Sequence, residues 1–309
     1  MKIIIIGAAG FIGTNLALAL SKSKKNEITL IDVKYEYFPD EVKSIENVKI
    51  IESNFSDDTD FDSLIKNQDI VYHLVSTTVP STSNQHIASE LHSNIIVTTK
   101  LLNACVEENV KKVIFLSSGG TVYGKEISAP IKEIDSTKPI SSYGLQKLTI
   151  ENLLYLYNYL YNLDYSVIRL ANPYGPFQRP NGSLGAVTTF TYKALKNEEI
   201  SVYGDGSVVR DFIYIDDAIN AIIKIANSVS KHKIFNVGSG CGTSINELIH
   251  IIEKTLNRKL NVKYIKSRNV DVPINYLDIS RYEEEFGQMI HYDIETGIRQ
   301  TAKFLSKSI

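Results

Sequence analysis

Over the first two-thirds of the chain, apolar residues fall in short, nearly unbroken runs. These runs are separated by stretches in which apolar residues recur every three or four positions. The runs Lys2–Gly7, Glu27–Asp32, Val48–Glu52, Ile70–Leu74, Lys112–Ser117 and Ser166–Leu170 predict strands, and Phe11–Ser21, Ile95–Glu108 and Gly144–Tyr161 predict amphipathic helices between them. Strands apolar on both faces, alternating with helices, predict an α/β fold with a doubly wound parallel sheet covered on both sides.

The pattern changes after Asn172. Pro173, Pro176, Pro180, Gly182 and Gly185 crowd one segment and predict a long functional loop. A helix over Ala186–Lys196, a strand over Phe212–Ile215, a helix over Asp216–Ala226, a strand over Lys233–Val237 and a helix over Ile245–Leu256 follow. The expected organisation is a dinucleotide-binding domain over residues 1–171, to which 213–237 return, and a smaller C-terminal substrate-binding lobe over 172–212 and 238–309. The lobe is expected to close over the carboxyl edge of the sheet, where the chain order switches and ligands bind.

Composition narrows the class further. The 309 residues carry a formal net charge of −2, which gives no reason to expect nucleic acid or a membrane surface as partner. No apolar run approaches the ~18 residues of a membrane span, and the chain opens on a strand rather than a signal peptide. Cys105 and Cys241 lie far apart without metal-ligand spacing, and the six histidines include no metal-binding pair. A reducing cytoplasmic compartment and no metal site are expected.

Candidate chemistry begins at Gly7-Ala8-Ala9-Gly10-Phe11-Ile12-Gly13, directly after the first strand. A glycine-rich turn from strand to helix lets backbone approach a pyrophosphate and points helical N–H groups at it. The same turn also arises from plain helix–strand packing, and the second strand decides between the two. It ends at Asp32, nineteen positions after Gly13, where a carboxylate accepts both ribose hydroxyls of an adenosine. A carboxylate there repels a 2′-phosphate, so NAD is favoured over NADP, with Lys34 nearby as an opposing influence. Tyr143 and Lys147, at i and i+4, share a helix face. An ammonium beside the phenol, together with a nicotinamide cation, is expected to lower the tyrosine pKa so that phenolate can take a sugar hydroxyl proton while hydride leaves for the nicotinamide. Among 18 tyrosines such a pair arises by chance, so its place at the head of the helix after Leu116-Ser117-Ser118 is what counts.

In this order the motifs resemble the extended short-chain dehydrogenase/reductase superfamily, in its UDP-glucose 4-epimerase-like branch of NAD-dependent nucleotide-sugar epimerases and dehydratases. The resemblance rests on Gly7–Gly13, Asp32, Tyr72-His73-Leu74, Asn94, Ser117–Gly124, Tyr143–Lys147, Arg169–Pro176, Val202–Gly206, Arg210–Ile213 and Phe235–Gly240, and so runs nearly end to end. It implies a Rossmann-type sheet. Asn54 and Phe55 would flank the adenine, Leu74 to Ser76 would pass the phosphate-ribose portion of NAD, and Asn94 and Ser117 would lie close to it. Gly7, Gly10, Phe11, Ile12 and Gly13 would hold the pyrophosphate. Asn172, Arg210 and Arg268 would bind the diphosphate of a UDP- or dTDP-linked sugar; a guanidinium fork suits phosphate oxygens, although Arg268, in a loose basic stretch, also reads as a solvated residue. Tyr203 would line the base pocket. A homodimer joined by a four-helix bundle is also implied, for which Tyr155, Tyr157, Tyr159 and Tyr161 supply surface; otherwise these tyrosines cover the monomer's own sheet.

The family pattern breaks at three places. Gly119 stands where a catalytic Ser or Thr is usual, and Ser118 or Thr121 is left to supply that hydroxyl, with Thr121 preferred if the segment is extended. Thr78 stands where some hexose epimerases carry Lys. Asn275 stands where a large residue excludes, and a small one admits, bulk at the sugar's 2-position. The Thr-Asp-Glu usual in dehydratases is absent at Gly119-Gly120-Thr121, so elimination of water lacks its acid and base. Epimerisation at C4 through a 4-keto sugar requires the fewest groups. A 4-keto-6-deoxysugar reductase and a non-catalytic NAD(P) sensor are the alternatives.

Overall fold

A computed structural model describes residues 1–78, 83–125, 128–180, 185–266 and 272–308. The chain divides into two compact units, one of residues 1–122, 139–169 and 222–235, the other of residues 123–138, 170–221 and 236–309.

The first unit is organised by a seven-stranded sheet. Its strands in chain order begin with β1 (Lys2–Ile6), β2 (Glu27–Asp32), β3 (Val48–Glu52), β4 (Ile70–His73), β5 (Lys112–Ser118) and β6 (Asp164–Leu170), and Ile234–Val237 is the seventh. From the edge, the spatial order is the seventh strand, β6, β5, β4, β1, β2, β3, and the pairings from β5 to β3 are parallel. The order reverses between β1 and β4, and the glycine loop leaves the sheet there. The six early strands match the elements predicted from apolar runs to within two residues at either end. The reason lies in their burial: Ile3, Ile4 and Ile5 are all fully buried, which a strand of alternating faces achieves only when both faces are covered.

One face of this sheet packs on the helices Phe61–Ile65, Val97–Glu107 and Ser142–Tyr161, whose residues Phe61, Leu101, Cys105, Ile150 and Leu154 share a core with Ile4, Val71, Val113 and Phe115. The predicted helix over Ile95–Glu108 is an α-helix from Val97, preceded by a π-turn over His92–Ile96 and the short helix Ile87–Leu91. Beneath the sheet's end, Arg169 grips Glu151 through Nε at 3.2 Å from both carboxylate oxygens and Nη2 at 2.6 Å.

The second unit carries small sheets. Asn172–Tyr174 pairs in parallel with Phe212–Tyr214, Val209–Arg210 lies between Thr243–Ser244 and Ile274–Asn275, and Val262–Ile265 pairs with Ile200–Tyr203. Most of these strands are two to four residues long, too short for periodicity to announce. Asp211, fully buried, accepts hydrogen bonds from the Ser239 N–H and hydroxyl at 2.6 and 2.7 Å and from the Leu277 N–H at 3.1 Å, and so binds three loops together. Among the described residues no helix is long and apolar enough to cross a membrane.

Candidate active site

Gly7 has φ +88°, a left-handed conformation, and a Cβ there would stand 3.0 Å from the Val75 backbone nitrogen. Gly13, inside the helix Phe11–Leu20, would place a Cβ 2.5 Å from the Gly7 carbonyl oxygen and 2.6 Å from the Ala8 Cα. These two glycines are required by the chain's own packing. Gly10 is different. Its φ of −72° suits any residue, and a Cβ would meet only the Gly7 oxygen, at 3.4 Å. The helix that Gly10 caps has no side-chain cap and no acidic residue in its first turn. Its first N–H groups and the positive end of its dipole are therefore available to an anion, and the absent Cβ lets that anion approach. These features fit a dinucleotide pyrophosphate.

Asp32 fixes the glycine loop: one carboxylate oxygen accepts the Ala9 N–H at 2.8 Å and the other the Val33 N–H at 2.8 Å. Asn54 is exposed beside Phe55, whose ring lies 5.1 Å from His73 and 5.5 Å from Phe61. Leu74 continues β4 by donating its N–H to the Ile6 carbonyl at 3.0 Å, and the Ser76 hydroxyl closes on the Thr78 carbonyl at 2.9 Å. Asn94 is buried on the π-turn. Its side chain accepts the Thr77 N–H at 3.0 Å and donates to the Thr77 hydroxyl at 2.7 Å, so it shapes the 74–78 segment. The Ser117 hydroxyl donates to Glu151, which engages it below the site.

Tyr143 and Lys147 open the helix Ser142–Tyr161. Side chains satisfy the N–H groups of its first turn: Asn84 takes that of Ser142 at 2.9 Å, Ser83 that of Tyr143 at 3.2 Å and the capping Ser141 that of Gly144 at 3.1 Å. Lys147 is 4% exposed, donates to the Leu116 carbonyl at 2.9 Å and stands 5.6 Å from the centre of the Tyr143 ring and 4.8 Å from that of Phe115. Burial pulls the ammonium down to about 8, with Glu151 opposing. Burial also pushes the Tyr143 phenol up to about 12, against the lowering expected from the sequence. The physical reason is that phenolate loses its water shell here, while the neighbouring ammonium holds its own proton weakly.

The segment after β5 is a turn, not an extended strand end: Thr121 and Val122 both donate N–H to the Ser118 carbonyl, at 3.5 and 3.3 Å. Strand alternation therefore gives no basis for preferring Thr121. Packing supplies one instead. The Thr121 carbonyl oxygen would lie 2.6 Å from a Cβ on Gly144, the residue after Tyr143, so only glycine lets the two segments touch. The Thr121 hydroxyl is buried and has no hydrogen-bond partner among the described residues.

In the second unit, Asn172 donates its backbone and side-chain N–H groups to the Asp211 carbonyl at 3.0 and 2.9 Å. Arg210 donates to the Val209 and Val272 carbonyls at 2.8 and 2.6 Å and pairs in register with the buried Asn275. Tyr203, at the end of its strand, is exposed. Arg268 lies outside the described residues. The side chains that no motif pointed to are Glu90, Ser142 and Gln146, a buried polar cluster against the Tyr143–Lys147 turn in which Glu90 lies 52 and 56 residues before the other two in the chain.

Residues 3–238 match the model of the NAD dependent epimerase/dehydratase family. The UDP-glucose 4-epimerase of Mycolicibacterium smegmatis is 30% identical, over 98% of this chain and 98% of its own. The solved UDP-N-acetylglucosamine 4-epimerase of Methanobrevibacter ruminantium, in complex with UDP-N-acetylmuramic acid, is 32% identical with a TM-score of 0.91, over 100% of this chain and 99% of that one. The UDP-glucuronic acid 4-epimerase of Bacillus cereus, solved with UDP-glucuronic acid and NAD, is 27% identical with a TM-score of 0.90, over 100% of both chains. The family match runs through the glycine junction, the sheet and the tyrosine–lysine turn alike, and the chain belongs to the NAD dependent epimerase/dehydratase family.

Proposed function

We propose that the chain inverts C4 of a UDP-linked hexose, with NAD as its resident cofactor. The observation that carries this reading is the buried Lys147 beside Tyr143, in the same unit as an uncapped helix N-terminus behind Gly10. Gly7 to Gly13 would hold the pyrophosphate, Asp32 the adenosine ribose, Asn54 and Phe55 the adenine, and Leu74 to Ser76 would pass the phosphate-ribose portion. Bound NAD supplies the hydride acceptor and donor that reversible oxidation at C4 requires.

Tyr143 takes the proton from the 4-hydroxyl and returns it after the sugar has turned over. Lys147 keeps its charge below about pH 8 and favours the phenolate; its bond to the Leu116 carbonyl keeps the ammonium in place. Thr121, or failing it Ser118, supplies the hydroxyl that steadies the reacting oxygen in place of the one missing at Gly119. Asn172, Arg210 and Arg268 anchor the diphosphate, Tyr203 borders the base, and Asn275 borders the sugar. Anchoring the nucleotide firmly and the sugar loosely is what turnover of the keto sugar demands. The absence of a carboxylate at residues 119–121 argues against dehydration.

The active form is proposed to be a cytoplasmic homodimer. Tyr155, Leu156, Tyr159, Leu160 and Tyr161 are all exposed on one helix, and only Tyr157 of the four tyrosines packs inward, with its hydroxyl on Asn103 at 2.6 Å. Such a face is larger than a solvated helix needs, and a second copy of the chain in a four-helix bundle would cover it. Both cysteines are free, which fits a reducing compartment.

The decisive experiment incubates the protein with UDP- and dTDP-sugars and resolves product isomers by chromatography and mass spectrometry. A C4 isomer formed without net NADH production, and lost by about 10²–10⁴-fold in Tyr143→Phe, is expected. Stoichiometric oxidation of NAD(P)H on a 4-keto sugar would instead identify a reductase, and cofactor binding without turnover a sensor.

A further inference from the structure

Glu90 takes no part in the proton transfer, yet it is buried against the catalytic turn. It lies on the helix Ile87–Leu91 and is 9% exposed. One carboxylate oxygen accepts the Ser142 hydroxyl at 2.8 Å and the Gln146 side-chain amide at 3.3 Å. The same amide donates to the Ser142 hydroxyl at 2.9 Å, and the Gln146 carbonyl oxygen accepts the Thr78 hydroxyl at 3.3 Å. Ser142 immediately precedes Tyr143, and Gln146 immediately precedes Lys147. Glu90 thus holds the residue before each member of the catalytic pair.

Among the described residues no Lys, Arg or His forms an ion pair with Glu90, so the bonds from Ser142 and Gln146 are what hold its side chain in place. A buried polar group is costly unless it is hydrogen-bonded, so these bonds fix where the Glu90 side chain sits. The helix Ser142–Tyr161 has no acid in its own first turn, and Glu90 stands there from a different helix, where the dipole favours negative charge. The Glu90 carbonyl also accepts from Asn94 at 3.0 Å, and Asn94 in turn holds Thr77. One helical segment therefore grips both the catalytic turn and the 74–78 segment, with Thr78 closing the circuit through Gln146.

We propose that Glu90 is a positioning residue, which sets the Tyr143–Lys147 turn in register with the 74–78 segment by accepting from Ser142 and Gln146. This rests on the reading of Tyr143 as the proton-transfer group. In the holoenzyme, Glu90→Ala is expected to lower kcat by about 10- to 100-fold with KM changed less than about threefold, and to speed amide exchange over residues 142–147 at least tenfold. Glu90→Gln, which keeps an acceptor oxygen, is expected to restore kcat to within about threefold of the parent. A Glu90→Ala protein with kcat within twofold of the parent overturns the proposal, as does a Gln variant no better than Ala. If Glu90→Ala does not fold, Ser142→Ala takes its place, and unchanged exchange over 142–147 counts against the proposal. Tyr143→Phe is the control: if it stays active, the underlying reading fails rather than the role of Glu90.

Discussion

At the scale of single residues, a hydroxyl buried without a partner is the most informative atom of the site. Leaving a polar group unsatisfied costs about 1–3 kcal/mol, and a fold does not retain it for stability. Thr121→Val is therefore expected to leave Tm unchanged or slightly raised while kcat falls by about tenfold or more, and Ser118→Ala to change kcat less. Thermal denaturation and initial rates on the same preparations check this; a Thr121→Val enzyme of parental kcat would shift the role to Ser118. Lys147 makes a pH-dependent prediction. Its ordinary value of 10.5 falls to about 8 in the fold, so below about 8 both folded and unfolded chains bind the proton and the buried charge costs its full amount. Between about 8 and 10.5 the unfolded chain binds more protons, so stability rises with pH. The Tm advantage of Lys147→Met over the parent is expected to shrink from pH 8 to pH 10; calorimetry showing a constant difference would contradict the assignment.

At the scale of elements, the strand–helix junction separates what the fold needs from what the ligand needs. Gly13→Ala forces a Cβ to 2.5 Å from a carbonyl oxygen and is expected to cost about 1–3 kcal/mol in stability along with cofactor retention. Gly10→Ala meets only a 3.4 Å contact, so it is expected to keep the Tm of the cofactor-free parent and still lose NAD, read from the absorbance of the denatured supernatant. Equal loss of Tm in both variants would remove the distinction. The same contrast explains what was legible in the sequence. β1 to β6 were readable because each is a short, largely apolar run, with β1, β4, β5 and β6 buried on both faces and the edge strand β3 only partly buried; Gly7, Asp32, Tyr143 and Lys147 could be singled out because their spacing suggests a mechanism. The pair Ile274–Asn275 and the turn at 119–121 were not, since two or three residues have no period. Nor was the direction of the Tyr143 shift, because desolvation depends on how deeply the helix sits. Glu90 was invisible for a related reason: its partners are fifty residues away and share no motif with it.

At the scale of the whole molecule, the exposed tyrosine–leucine face is where the proposed dimer is tested. Tyr159 is 75% exposed and Leu160 53% exposed, so charging them costs the folded chain little. The double variant Tyr159→Glu, Leu160→Lys is expected to sediment as a monomer with a near-parental circular dichroism spectrum, whereas the parent sediments as a dimer. A parent chain that is monomeric at micromolar concentration would leave the face without a self-partner.

Every described side chain expected to handle the cofactor or the proton belongs to the first unit, and Asn172, Tyr203, Arg210 and Asn275 belong to the second. Substitutions that alter the accepted sugar are therefore expected to fall in residues 170–221 and 236–309 and to leave NAD binding unchanged, which donor-sugar assays on variants of that unit check. An engineer seeking a new donor sugar would accordingly randomise the second unit and leave the first unchanged.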